Sequence, residues 1–299
     1  MDWAETPATM ARAFAEEPVL FSGPDGPLRG IFTPPAPEAP CAGHCLVLPG
    51  HPRFGNQRLA VIAARVLAAE GFAALRFDFH GHGESGGTST GADRNQPGAR
   101  DVDAAIRFLC EERAQSRFLL AGYCFDGLSA LAGIPASSTA TRGGLFASPP
   151  VLQRTSAGGE PPLTANRPRW ALRLRRWWRH PLEFSMAARA DHVRHPSPTD
   201  SPNADRCVKI AKVVEDAIAA LISSGAPALF IYGENDSLYA EFKIVERQLL
   251  AALNGDPRRL LQVEVWPGSV QSFESAPALL ERTIRWAREF HPARGSHQL

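Results

Sequence analysis

Arg117-Phe118-Leu119-Leu120-Ala121-Gly122-Tyr123-Cys124-Phe125-Asp126-Gly127-Leu128-Ser129-Ala130 is the stretch on which the reading of this chain turns. Residues 117–120 are short and apolar, as in a buried strand. From Leu128 onward the small and apolar residues suit a helix. Glycine lets the backbone turn tightly between the two, with no Cβ in the way. A strand that passes sharply into a helix through Gly-x-nucleophile-x-Gly lifts its apex residue out at the positive end of that helix. The apex here is Cys124, and Asp126 stands where the pattern closes with glycine.

Outward from this turn, strands and helices alternate. On the N-terminal side, 19–22 and 28–33 read as strands joined by a Gly-Pro-Asp-Gly turn. The run 44–48 reads as a buried strand ending at Pro49-Gly50-His51-Pro52, and 72–79 as another, followed by His80-Gly81-His82-Gly83. Between them, 56–70 has helical spacing and ends at Gly71. In 99–113, Val102, Ala105, Ile106 and Leu109 share one helical face. On the C-terminal side, 144–148 is a short strand closed by two prolines. Then come a helix over 208–222, a strand over 228–232, a helix over 240–253, a strand over 260–266 and a last helix over 276–290. This alternation predicts an α/β fold, a mostly parallel central sheet with helices on both faces. It breaks over 151–203, which is rich in Pro, Arg and Trp. The expected organisation is therefore a core in two parts, 1–150 and 204–299, around an insertion at 151–203.

A chain of 299 residues with 44% apolar content can bury a sizeable core. A formal net charge of +1 gives no bulk attraction to nucleic acid. No signal peptide is expected at the acidic N-terminus, and no run is long and apolar enough to span a bilayer. Cys41 and Cys45 lack a second pair to complete a zinc set, so no metal site and no cofactor are expected. A cytoplasmic enzyme carrying reduced thiols is the expectation.

Four places together make the chain resemble the α/β-hydrolase superfamily. Leu48-Pro49-Gly50-His51 sits where the family has its oxyanion loop. Arg76-Phe77-Asp78-Phe79-His80-Gly81-His82-Gly83-Glu84-Ser85 resembles the Arg-x-Asp-x-Arg-Gly-x-Gly-x-Ser loop, with His80 in place of arginine. Gly122-Tyr123-Cys124 is similar to the elbow of dienelactone hydrolases, which use cysteine. Tyr232-Gly233-Glu234-Asn235-Asp236 resembles the acid loop. The family's last element is Gly-x-x-His-x-Phe. Here Gly268-Ser269-Val270-Gln271-Ser272-Phe273 keeps the glycine and the phenylalanine, and Gln271 holds the histidine position. Glutamine does not accept and return a proton near neutral pH, so the usual general base is missing.

The resemblance implies Cys124 as nucleophile, the backbone N–H groups of His51 and Phe125 as the oxyanion hole, and Asp236 as the acid. Asp236 is then either a relic hydrogen-bonded to Gln271 or a base. Asp126 is either a proton acceptor or a capping group, and His80 is either a possible replacement base or a surface or loop-stabilising histidine. The resemblance also implies that the insertion is a cap over the pocket. Its run 167–179 would set Trp170, Leu174, Trp177 and Trp178 on an apolar helical face ringed by arginines. Such a face is either a solvated cap helix or a dock for an acyl carrier protein, a coenzyme A phosphate or a membrane surface. The first functional expectation is acyl chemistry on an ester, thioester or polyketide-like substrate, transfer or slow hydrolysis rather than fast hydrolysis. A lyase or cyclase of natural-product tailoring that uses a carboxylate base is the second. A non-catalytic binding protein on the same scaffold is the third.

Overall fold

The computed structural model describes residues 15–50, 52–55, 58–88, 98–152, 210–251, 260–272 and 274–291. Eight strands form one sheet: β1 (Glu17–Gly23), β2 (Gly26–Thr33), β3 (Cys45–Gly50), β4 (Ala73–Asp78), β5 (Phe118–Tyr123), β6 (Thr141–Ala147), β7 (Ala228–Gly233) and β8 (Leu261–Trp266). Their order is β1-β2-β4-β3-β5-β6-β7-β8. The pairs β1/β2 and β2/β4 are antiparallel and every other pair is parallel. The helices are α1 (Leu59–Ala68), α2 (Ala99–Arg113), α3 (Phe125–Ala132), α4 (Ile134–Ser137), α5 (Lys212–Ser224), α6 (Ser237–Ala251) and α7 (Ala276–Arg288).

Side-chain alternation along the central strands builds two apolar layers. In β5, Phe118 and Leu120 join a layer with Val102 and Leu109 of α2, Leu131 of α3 and Leu221 of α5. Leu119 and Ala121, one residue out of phase, join the other layer with Leu67 of α1 and Trp286 of α7. Both faces are therefore covered, and this is why β3, β5 and β7 read as near-continuous apolar runs, while β4 carries two buried charged residues, Arg76 and Asp78.

The larger differences from expectation are at element starts, and strand β6 runs from Thr141 to Ala147 rather than over 144–148. Helix α3 begins at Phe125, not Leu128, because the Cys124 carbonyl already accepts the Leu128 N–H at 3.1 Å. Helix α6 begins at Ser237 rather than 240, directly after the loop residue Asp236, whose carbonyl accepts the Tyr239 N–H at 3.0 Å. Helix α5 begins at Lys212 rather than 208. The short α4 was not anticipated; it follows Gly133, where a Cβ would collide with Val102.

The chain divides into Met1–Leu152 with Val208–Leu299, and Gln153–Cys207. The cap expected over 151–203 falls, beyond Leu152, outside the described residues, as does its run 167–179. The two chain segments that flank it meet: Leu152 pairs with Ile210, and the Ala211 N–H donates to the Val151 carbonyl at 2.9 Å. Among the described residues, no helix is long and apolar enough to cross a membrane.

Candidate active site

Parallel strands bring their C-terminal ends to one edge of the sheet, where ligand sites gather in open α/β folds. Cys124 follows β5 directly and is the N-cap of α3, with φ 56° and ψ −124°. A non-glycine residue held there is strained by roughly 1–3 kcal/mol and persists only where its neighbours over-determine it. Two contacts do so. The Cys124 N–H donates to the Ala147 carbonyl at 2.7 Å, tying the turn to the end of β6. Gly122 and Gly127 pack backbone to backbone: a Cβ on Gly127 would sit 2.9 Å from the Gly122 carbonyl oxygen. The close approach therefore falls one residue later than the expected closing glycine. Asp126 is accommodated because Gly127 takes that role, leaving Asp126 half-buried in the first turn of α3, where a negative charge suits the helix N-terminus. The Cys124 side chain is also half-buried and packs on the core.

Asp236 follows β7 and is buried. Its Oδ2 accepts from Ser148 Oγ at 2.7 Å, from the Gly233 N–H at 2.9 Å and from the Val270 N–H at 3.3 Å. Its Oδ1 accepts from Ser269 Oγ. The expected relic bond to Gln271 is replaced by these contacts. The Gln271 side chain is exposed, and its backbone N–H donates to Ser269 Oγ at 3.2 Å.

Asp78, fully buried at the end of β4, organises the neighbouring loops. It accepts from the Arg53 N–H at 2.7 Å, from the Arg53 guanidinium and from the Glu84 N–H at 3.2 Å. Arg53 also reaches Glu84 at 2.7 Å. Arg53 lies two residues past His51, so Asp78 anchors the loop in which an oxyanion donor was expected. His51 itself lies outside the described residues. Phe125 is the first residue of α3, where backbone N–H groups face out along the helix axis.

His80 is held by Asp101, a fully buried carboxylate in the first turn of α2. Asp101 Oδ2 lies 2.7 Å from His80 Nδ1 and accepts the His80 N–H at 2.9 Å. Strand β3 separates β4, which leads to His80, from β5, which leads to Cys124.

Residues 55–261 match the sequence pattern of the serine aminopeptidase family S33. The chain belongs to this family of α/β hydrolases. Solved structures agree on the fold. An α/β serine hydrolase without a lid from Xanthomonas campestris is 15% identical, over 93% of this chain and 95% of its own, with a TM-score of 0.54. An esterase from Pyrococcus furiosus is 20% identical, over 95% and 92%, with a TM-score of 0.55. A proline iminopeptidase from Mycobacterium smegmatis is 18% identical, over 93% and 99%, with a TM-score of 0.55. No curated protein sequence matches the chain.

In this hydrolase the sequence motifs lead to Cys124 and Asp236, but three residues that shape the site escape them. Arg53, Ser148 and Ser269 act through partners remote in sequence. Ser148 carried a faint signal, a polar residue closing an apolar strand just before Pro149-Pro150.

Proposed function

We propose that this hydrolase performs acyl chemistry on an ester or thioester through Cys124, favouring acyl transfer or slow hydrolysis over fast hydrolysis. The observation that supports it is the backbone of Cys124 itself, strained at φ 56° in the turn from β5 to α3. Strain at one residue of a sheet edge is retained where that residue's presentation serves a purpose. In the reaction, the Cys124 sulfur attacks the acyl carbonyl, the tetrahedral oxyanion collapses, and the alcohol or thiol leaves with a proton. The oxyanion is held by the N–H of Phe125 and, in this proposal, of His51. The thioester then passes its acyl group to an incoming alcohol, amine or thiol, and the cysteine is restored as a thiol.

Deacylation by water calls for a base, and Gln271 is not one. This is the physical reason for favouring transfer to a better nucleophile, and for reading the triad as altered. The donors gathered on Asp236 weigh against the elimination reading with that carboxylate as its base. His80, bonded through Nδ1 to Asp101, is the residue of this proposal that would take that part through its other ring nitrogen. The arginine- and tryptophan-rich run 167–179 would dock the anionic carrier of a thioester, such as coenzyme A or an acyl carrier protein.

The test is intact-protein and peptide mass spectrometry after exposure to p-nitrophenyl acetate. An acetyl adduct on Cys124 that outlasts the release of p-nitrophenol is expected, with none in Cys124→Ala. An unmodified Cys124 beside undiminished turnover in Cys124→Ala would sink the proposal.

A further inference from the structure

Asp236 gathers donors from three separate chain segments: Ser148 past the end of β6, Gly233 at the end of β7, and Ser269 and Val270 in the loop after β8. Two features tie this cluster to the elbow. Ser148, like Cys124, has a positive φ, 45° against 56°. The two strained residues are also linked through a single peptide unit, the one between Ala147 and Ser148. Its carbonyl accepts the Cys124 N–H at 2.7 Å, and its N–H donates to the Ile231 carbonyl at 2.7 Å. The plane of that peptide sets the direction from which Cys124 is held. The Ser148 hydroxyl, fully buried and bonded to Asp236, fixes the plane from the other side. Ser269 closes the arrangement by bonding the same carboxylate through its hydroxyl and accepting the Gln271 N–H at 3.2 Å.

We propose that Ser148 and Ser269 are positioning residues for Cys124, forming with Asp236 a brace that orients the elbow without moving a proton. The inference rests on the acyl-chemistry reading of Cys124 for its purpose, though not for its geometry. A hydroxyl that donates to a buried carboxylate holds one orientation, and a carboxylate that only accepts is satisfied by such donors. The brace gives Asp236 a structural task that a histidine partner would otherwise share. It also keeps the 268–272 loop against the ends of β6 and β7.

Three variants test it. Ser148→Gly removes the hydroxyl while glycine suits the positive φ, so folding is spared. Ser269→Ala removes the second hydroxyl. Asp236→Asn keeps one acceptor oxygen and turns the other into an N–H donor. Hydrogen–deuterium exchange of the elbow segment 121–128 reads the geometry whatever the chemistry. Single-turnover acetylation of Cys124 by p-nitrophenyl acetate reads the purpose. Alkylation of Cys124 by iodoacetamide, which uses no oxyanion hole, is the control. Both serine variants should exchange the elbow amides about tenfold faster and lose about tenfold in acetylation rate, with alkylation changed less than about threefold. Asp236→Asn, which turns one of the acceptor oxygens into a donor, should also speed elbow exchange and slow acetylation, with the pH profile unmoved. Unchanged elbow exchange in both serine variants would overturn the brace. So would loss of acetylation in Asp236→Asn together with a displaced pH profile, the signature of a base. Faster elbow exchange with no acetylation even in the native protein would leave the brace standing and remove the acyl-chemistry reading.

Discussion

Single residues decide what this site does with a proton. The position of Gln271 suggests that one substitution separates the chain from a hydrolase with a histidine. The contacts of Asp236 say otherwise, since Ser269 already occupies Oδ1. Gln271→His alone should leave steady-state hydrolysis of p-nitrophenyl acetate within about twofold of the native rate. Ser269→Ala combined with Gln271→His frees the carboxylate to orient an imidazole and should raise hydrolysis at least about tenfold over Ser269→Ala alone, the low end of general-base catalysis. A second residue, His44, sets a pH response far from the elbow, ahead of the N-terminal end of β3. Burial holds its pKa below the ordinary histidine value, against the opposing effect of its bond to the Ala42 carbonyl, and Arg117, Arg142 and His291 add to the lowering. The native state therefore prefers the neutral ring. Its contribution to stability is full above the unfolded pKa of about 6.5 and is lost as pH falls below it. Urea midpoints measured at pH 7.5 and pH 5 should fall on acidification, and His44→Gln should show a smaller fall. An equal fall in both would assign the acid sensitivity elsewhere.

Whole elements are placed by contacts that local patterns do not carry. Strand β5 and helix α3 are joined with no intervening loop, because Cys124 is at once the residue after the strand and the N-cap of the helix. That junction depends on glycine at two positions that touch. Gly127→Ala puts a Cβ 2.9 Å from the Gly122 oxygen, and either the strand end or the helix start must shift. A loss of about 1–3 kcal/mol in stability by urea denaturation is expected, the usual cost of overpacking. A loss below about 0.5 kcal/mol, as at an ordinary surface position, would mean that the junction is looser than its contacts imply. The loops after β3 and β4 are likewise one unit, since Asp78 holds Arg53 by both backbone and side chain. Ser85 adds its hydroxyl to the Asp78 carbonyl at 2.6 Å and accepts the Arg29 N–H at 2.9 Å, bringing β2 into the same assembly.

At the scale of the molecule, the sequence by itself determined the architecture. Apolar runs at 45–48, 73–75, 118–121 and 228–232 are strands buried on both faces, and spaced apolar residues at 102–109 and 214–221 are helices covering them. Both follow from the period of side-chain direction, a local property that each segment carries alone. The elbow was legible for the same reason, because its glycines and its apex cysteine lie within six residues. The tertiary structure decided which groups meet. The order β4-β3-β5-β6-β7-β8 sets the ends of β6, β7 and β8 side by side, and so brings Ser148 to Asp236 across 88 positions and Ser269 to it across 33. A hydroxyl at the end of a strand looks like any other in sequence. Only the register of the assembled sheet determines that it lies 2.7 Å from a buried carboxylate, and hence that Asp236 is bonded to two serines.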